Sequence, residues 1–243
     1  MLRNLVGYIS KRAEARVIVP QDEKIIWKFN SDKVVKEFYC FTDADLGGNS
    51  DGKFTLNSQN KALFSGTLST KIKPGMQLKY TGFCSLRSIV PRRFPRGEIL
   101  QDWSNFDAIE FRVRGDGRAY LINLHHQTFR PDDLFQAFMF TRGGPDWESV
   151  RIPFSNFFLA NSGYMQDKDA DISYAIARIR TIGLLLADRV DGPFQLEIDN
   201  IKVVRSAMHI TRGYHQNLTY KVNMDHYRKT EKYMKKNYGP VSG

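Results

Sequence analysis

Apolar and polar residues alternate along most of the chain between Ile25 and Arg205. The pattern is clearest in residues 106–127, FDAIEFRVRGDGRAYLINLHHQ, where apolar side chains occupy every second position on both sides of a glycine-containing turn. Successive side chains of a strand point to opposite faces of the sheet. The pattern therefore predicts a mostly antiparallel β structure of roughly ten strands, each with one apolar and one polar face.

Glycines and prolines divide this pattern into strands. Residues 115–117 (Gly-Asp-Gly) and 143–145 (Gly-Gly-Pro) are typical of tight turns, so each is predicted to close a β-hairpin, with Gly143 and Gly144 at positive φ. Pro153 cannot donate a ladder hydrogen bond, which predicts that its strand lies at an edge or ends there. We expect Trp147 to close one end of the core, with stacking on a sugar as the alternative.

This many strands in one chain of 243 residues predict an all-β fold, a jelly-roll β-sandwich in which each sheet buries one face. The predicted domain comprises residues 25–206. Residues 1–24 form a short N-terminal lead-in, and residues 207–243 form a basic, tyrosine-rich tail that is partly helical.

Both terminal segments carry helical patterns. Apolar residues recur on one helical face of residues 1–17, with four basic residues and one acidic residue in the first 20; this is typical of a mitochondrial targeting segment or of a retained amphipathic helix. Residues 220–238 place tyrosine and methionine on one face of a predicted basic helix. Such a helix packs on its own sandwich, or docks on a partner or an acidic membrane surface.

Charge and cysteine content exclude some classes of protein. The net charge is +10, but most of the excess lies in the terminal segments, whereas a nucleic-acid-binding domain carries its basic stripe on the folded body. No nucleic-acid partner is therefore predicted. Cys40 and Cys84 form no metal-binding pair, so we expect free thiols, with one disulfide as the alternative. No apolar run approaches the length of a membrane helix.

No catalytic or cofactor-binding motif is evident, so the sequence predicts neither an enzyme nor a bound cofactor or metal. His125 and His126 are adjacent on a strand and point to opposite faces, which prevents them from sharing one metal ion. Acidic residues at 132–133 and 167–171 are more typical of solvated loops than of a calcium site.

Several longer segments, in order, resemble one known family. They are WKF at 27–29, TDADLGGNS at 42–50, LFSGTLS followed by GFC, DWSNFDAIEFRVRGDGRAYLINL, FMFTRGGPDWESVRIPFSNFF and IGLLLADRVDGPFQLEIDNI. This set resembles the complex I intermediate-associated protein family of mitochondrial assembly factors, over about residues 25–204.

The resemblance implies a galactose-binding-domain-like jelly roll without catalysis. It further implies a chaperone in the mitochondrial matrix, peripherally associated with the inner membrane, that binds assembly intermediates of the membrane arm of NADH:ubiquinone oxidoreductase. An acyl-CoA-dehydrogenase-like assembly factor and an Ecsit-type adaptor are the implied partners.

The candidate contact residues are polar side chains on predicted strand faces and at a turn. Exposed aromatic side chains typically form the platforms of sugar-binding modules, and no Trp or Tyr alternates into register with these polar residues. That composition favours a protein-binding surface, with a carbohydrate- or small-ligand-binding module as the alternative. At the turn, Arg142 is predicted to face a carboxylate, either internal or from a partner. The predicted partner-binding residues are Glu110, Arg112, Arg114, Asn123, His125 and Arg142.

Overall fold

The computed structural model describes residues 22–72, 81–130, 132–161, 164–167 and 170–205. The predicted N-terminal and C-terminal helices lie outside the described residues. All strand pairs are antiparallel, as predicted. The strands are β1 (Glu23–Lys28), β2 (Phe38–Thr42), β3 (Asp51–Leu56), β4 (Ala62–Leu68), β5 (Cys84–Ser88), β6 (Arg92–Arg93), β7 (Gly97–Glu98), β8 (Ala108–Arg114), β9 (Ala119–His126), β10 (Asp133–Phe140), β11 (Glu148–Pro153), β12 (Phe158–Asn161), β13 (Tyr164–Asp167), β14 (Ile179–Leu186) and β15 (Gly192–Val204).

Two sheets form a sandwich, which confirms the predicted all-β class. The six-stranded sheet has the order β11-β8-β15-β4-β3, with β1 paired to β15; the seven-stranded sheet has the order β13-β12-β10-β9-β14-β5-β2. Strands β6 and β7 form a separate two-stranded hairpin. Two short α-helices, α1 (Asp32–Val35) and α2 (Ser173–Ile176), and 3-10 turns at Asp43–Leu46 and Phe154–Asn156 complete the described structure. The fifteen strands within the described residues exceed the predicted ten because several have only two to four residues.

The core lies between the two sheets and is rich in aromatic residues. Phe64 and Phe111 of the six-stranded sheet and Tyr120 and Phe135 of the seven-stranded sheet are fully buried in it. Trp103 closes the core from a connecting segment and stacks near Phe154, with ring centroids 6.2 Å apart. Alternation within each strand therefore leaves a second, outer face on both sheets.

The two predicted hairpins are wrong. Strand β8 belongs to the six-stranded sheet and β9 to the seven-stranded sheet, so the turn at 115–117 crosses between sheets; the turn at 143–145 crosses back from β10 to β11. The glycine conformations were predicted correctly, since φ is +76° at Gly143 and +98° at Gly144. The two crossing turns touch, and a Cβ on Gly143 would lie 3.0 Å from the amide nitrogen of Gly117.

Buried ion pairs and hydrogen bonds join the loops at the end of the sandwich that contains these crossings. Arg118 donates from Nε and Nη2 to the carboxylate of Asp188, at 2.8 and 2.7 Å, and also donates to backbone carbonyls including that of Val190. The buried Asp43 carboxylate accepts from the amides of Ser50 and Gly82, at 2.8 and 2.6 Å. We call this region, defined by Asp43, Arg118 and Asp188, the ion-pair end.

Pro153 ends β11, and β11 is an edge strand, as predicted. The six-stranded sheet places β8 and its polar side chains between β11 and β15. The seven-stranded sheet places β9 between β10 and β14. These positions determine which predicted contact residues are available on the surface.

Candidate binding surface

Several charged side chains on the outer face of the six-stranded sheet pair with one another. Glu110 of β8 is buried, and its carboxylate accepts from Arg151 at 2.9 Å and pairs with Lys202 at 3.2 Å. Burial alone would raise the pKa of Glu110, but the hydrogen bonds from these two cations outweigh burial and lower that pKa. Glu110 therefore holds three strands of its own sheet together.

Arg114 also pairs with a residue of its own sheet. Its Nη2 donates to both carboxylate oxygens of Glu197, at 2.9 and 2.8 Å, and its guanidinium lies over the ring of Trp147, 5.3 Å from the centroid. Bidentate pairing and a cation–π contact fix both groups. The predicted closure of the core by Trp147 is wrong, because this half-buried ring packs against Arg114 on the outer face. Trp103 is the fully buried tryptophan.

The turn residue Arg142 is highly exposed. Its backbone amide donates to the carboxylate of Glu148 at 2.8 Å, and its guanidinium approaches that carboxylate at 3.3 Å. Of the two predicted possibilities, the structure shows pairing with an internal acid. The guanidinium remains open to solvent, and exposed pairs of this kind are weak.

The six predicted contact residues do not form one surface. Arg112 lies on the outer face of the six-stranded sheet, half-buried, and makes no ion pair within the described part of the chain. Asn123 and His125 belong to β9 and lie on the outer face of the other sheet. His126 points to the opposite side and packs near Phe135, with ring centroids 5.6 Å apart, as the alternation predicts. The sequence pattern identified polar positions but could not assign them to a common sheet.

Asn123 lies within a continuous row of residues across the outer face of the seven-stranded sheet. Cross-strand pairing aligns it with Gln136 of β10 on one side and Gly183 of β14 on the other. The Gln136 amide donates to Asn123 Oδ1 at 2.8 Å. Continuing the register through β12, β5 and β2 gives the full row Phe158, Gln136, Asn123, Gly183, Arg87 and Tyr39.

Gly183 lies in the middle of this row and is buried. A Cβ at this position would lie 3.0 Å from the carbonyl oxygen of Leu86 and 3.5 Å from the Asn123 side chain. A glycine inside a strand commonly marks a site where another backbone or a ligand approaches closely. Here the group that approaches is the backbone carbonyl of Leu86, so this position lacks a side chain but is buried rather than open.

Aromatic residues lie at one edge of the same face, which corrects the expectation that none aligns with the polar positions. Tyr39 and Phe41 of the edge strand β2 are 42% and 39% exposed, and their rings stack with centroids 6.1 Å apart. Tyr39 pairs with Arg87 and Phe41 with Ser85. The alternation in FYCFT at 38–42 contained this signal, but only the strand order places it beside Asn123.

The other part of this face is apolar. Leu121 and Phe138 point outward in register, and they pack with Phe158 and Ala160 in a cluster separate from the main core. Phe140, Met165 and Leu185 pack against this cluster. The outer face therefore combines an apolar half with a polar row that ends in exposed aromatic rings.

The histidine on this face is held neutral. Burial, together with the nearby charges of Arg87 and Arg180, lowers the pKa of His125 to about 3. At neutral pH, His125 therefore presents an uncharged imidazole, and Arg87, which donates to Thr181 Oγ1 at 3.0 Å, carries the charge of this part of the face.

Metal and thiol chemistry is not apparent in the described residues. No group of three or more potential metal ligands occurs within the described ranges. Cys40 and Cys84 are free thiols, as expected, and burial raises the pKa of their thiols to about 11 and about 12. In the same ranges, no helix has both the length and the apolar composition required to cross a membrane.

Sequence comparison gives one family. The model of the family described as Complex I intermediate-associated protein 30 matches residues 27–198. Mitochondrial proteins of that name from Mus musculus and Drosophila melanogaster are each 34% identical to this chain, over 82% and 76% of it. The chain spans 62% and 64% of the length of these relatives.

Structural comparison supports the jelly-roll fold. The family 11 carbohydrate-binding module of Clostridium thermocellum, solved with a mixed-linked tetrasaccharide, superposes with a TM-score of 0.51 at 17% identity. The match covers 76% of this chain and 96% of the module. At this identity the likeness concerns the jelly-roll architecture alone.

Proposed function

This chain belongs to the complex I intermediate-associated protein 30 family, and from that membership we propose that it is a non-catalytic assembly factor for mitochondrial respiratory complex I. It binds assembly intermediates of the membrane arm as a chaperone. Its further partners are an acyl-CoA-dehydrogenase-like assembly factor and an Ecsit-type adaptor. It acts in the mitochondrial matrix, in peripheral association with the inner membrane.

The outer face of the seven-stranded sheet supports this proposal best and is its contact surface. Glu110 and Arg114 are committed to pairs within the other sheet, whereas Tyr39 and Phe41 are exposed on the strand beside Arg87. Aromatic residues and arginine are enriched at protein interfaces because they bury large areas and form directional hydrogen bonds. The exposed Tyr39–Phe41 pair is the observation that carries the assignment.

The test is affinity purification of the tagged full chain from mitochondria. Tyr39→Thr/Phe41→Thr keeps β-favouring residues on the edge strand and removes both rings. We expect complex I subunits and assembly factors to be recovered with the wild-type protein and their recovery with the variant to fall about tenfold, as for the loss of a contact worth about 1.4 kcal/mol.

Arg112→Ala, on the outer face of the other sheet, is the matched control and should keep full recovery. Failure of the wild-type protein to recover any complex I subunit would contradict the proposed function. Equal recovery with the wild-type protein and the aromatic variant would instead contradict the assignment of this face.

A carbohydrate- or small-ligand-binding role is the second candidate. It is favoured by the ring of Tyr39, which aligns with the hydrogen-bonded pair Asn123 and Gln136 in the manner of a sugar platform beside polar groups. Binding of the purified chain on a glycan array, abolished by Tyr39→Thr, would support this candidate. An array without signal would remove it.

A further inference from the structure

Two phenylalanine side chains at loop tips make almost no contact with the fold. Phe94, in the turn between β6 and β7, is 98% exposed, and Phe129, in the segment between β9 and β10, is fully exposed. Large apolar side chains exposed to this degree are unfavourable in water unless they are buried in a complex. Their position at loop tips shows that packing of the sandwich does not require them.

Both tips lie at the same end of the molecule. Strands β5 and β9 are each antiparallel to β14, so they run in the same direction, and the segments that follow them emerge at one end. Residues 178–180 lie between the two segments. The carbonyl of Arg178 accepts from the amide of Gln127, and Ile179 bridges to Gln101. Phe94 and Phe129 therefore lie on loops at one end of the sandwich.

Arginines flank each ring. Segments 89–99, 127–133 and 171–180 contain six arginines and four carboxylates. Glu98 is already paired with Arg180 and Arg92, Asp171 accepts from Ser173, and Asp133 accepts from Asn161. Asp132 is the remaining carboxylate. We call this region, defined by Phe94, Phe129 and these arginines, the Phe–Arg end.

The remaining four arginines are available for external anions. Within the described residues, the guanidinium groups of Arg93, Arg96, Arg130 and Arg178 make no ion pair, and all four residues are exposed. Arg93 adjoins Phe94, and Arg130 adjoins Phe129. Half-exposed Ile89, Ile99 and Tyr174 occur in the same three segments and add apolar surface.

We propose that the Phe–Arg end docks onto an anionic membrane surface, with Phe94 and Phe129 inserted among the lipid headgroups and the free arginines on lipid phosphates. Apolar rings bordered by cationic side chains match the two layers of a bilayer interface, acyl chains beneath anionic headgroups. Protein hot spots instead centre on aromatic side chains packed in pockets, and these two rings stand on separate projecting tips. The inference deepens the peripheral membrane association proposed above by naming its surface.

The test uses the purified full chain and two vesicle compositions, phosphatidylcholine alone and phosphatidylcholine with about one quarter phosphatidylglycerol. Binding is measured by co-sedimentation at low salt and at about 0.5 M salt, where screening weakens the contribution of any charged segment. We expect wild-type protein to favour the anionic vesicles. Phe94→Ser/Phe129→Ser should reduce the partition coefficient about a hundredfold, because each buried phenylalanine contributes about tenfold.

Arg93→Gln/Arg96→Gln should reduce binding to anionic vesicles at low salt and remove part of its salt dependence. Tyr39→Thr/Phe41→Thr removes two exposed rings elsewhere and should bind vesicles like the wild type. Phe94→Trp provides a direct readout, since brominated lipids should quench its added fluorescence above the wild-type background from the native tryptophans.

Equal vesicle binding by the wild-type and double-phenylalanine proteins would overturn the inference. So would loss of complex I subunits from a pull-down by the double-phenylalanine variant with unchanged vesicle binding, because the tips would then be a protein contact. Both results are distinct from failure of the proposed function, in which the wild-type protein recovers no complex I subunit.

Discussion

The two ends of the sandwich use arginine in opposite ways. At the ion-pair end, Arg118 and Asp188 are 11% and 6% exposed and pair with each other, and the buried Asp43 carboxylate accepts from backbone amides. At the Phe–Arg end, four exposed arginines make no ion pair among the described residues and stand beside two exposed phenylalanines. Buried charges require partners within the fold, whereas exposed ones remain available to other molecules.

The burial of the charged residues indicates a different role for each end of the sandwich. Buried residues stabilise the fold, and exposed residues are available for binding. Hydrogen bonds join the loops of the ion-pair end, since Asp191 accepts from the amide of Thr70 and Asp116 accepts from the amide of Gln195. The hairpin of the Phe–Arg end is joined by only two residue pairs. Substitutions at the first end should therefore change stability, and substitutions at the second should change binding.

The largest effect is expected from Asp188→Ala. It leaves the Arg118 guanidinium buried without its carboxylate, and removing one partner of a buried pair typically costs about 3–5 kcal/mol. The melting temperature should fall by about 10 °C. Glu98→Ala is the matched control at the Phe–Arg end, where Arg180 and Glu98 are 41% and 27% exposed, so solvent weakens the pair and the melting temperature should stay near that of the wild type. Equal effects of the two substitutions would remove the distinction between the ends.

A smaller effect, dependent on pH, is expected from His125. Its pKa is about 3 in the fold and close to 6.5 in an unfolded chain, so the unfolded state alone binds this proton as the pH falls below 6.5. The stabilisation is complete above pH 6.5 and is lost toward pH 3, with about 2 kcal/mol lost by pH 5. His125→Gln should reduce the acid destabilisation between pH 7.5 and 5 by that amount, measured by denaturant titration. An unchanged pH slope would contradict the low pKa.

The strands were predictable from the sequence because alternation is a local property. Their partners were not. Glu110 contacts Arg151 and Lys202 across two strand pairs, and no period in the sequence encodes such distant contacts. The turn at 115–117 contains the glycine conformation of a hairpin, yet turn chemistry does not specify whether the following strand pairs with the preceding one or crosses to the other sheet.

The candidate surfaces show the same limit. Asn123 and Tyr39 are 84 positions apart in sequence and share one row only through three cross-strand pairings. Phe94 and Phe129 did leave a local signal, because each is an apolar residue next to arginine within a proline-containing loop. Loops with such residues break the expected polar composition, and this feature could have identified the Phe–Arg end before the fold was known.

The smallest effects are expected from substitutions of two glycines at opposite ends of the sandwich. Gly144 and Gly97 have φ of +98° and +81°, and at both positions no atom lies within 4 Å of where a Cβ would be. Valine at either position is strained by its backbone alone, by about 1–3 kcal/mol. The turn that contains Gly144 is fixed, since Thr141 Oγ1 accepts from the amide of Gly117 at 3.0 Å, so Gly144→Val should lower the melting temperature by several degrees. The short hairpin that contains Gly97 can relieve the strain by opening locally, so Gly97→Val should change the global melting temperature by less than half as much. Similar shifts for both variants would show that the Phe–Arg end is as firmly held as the ion-pair end, and the division of roles between them would then fail.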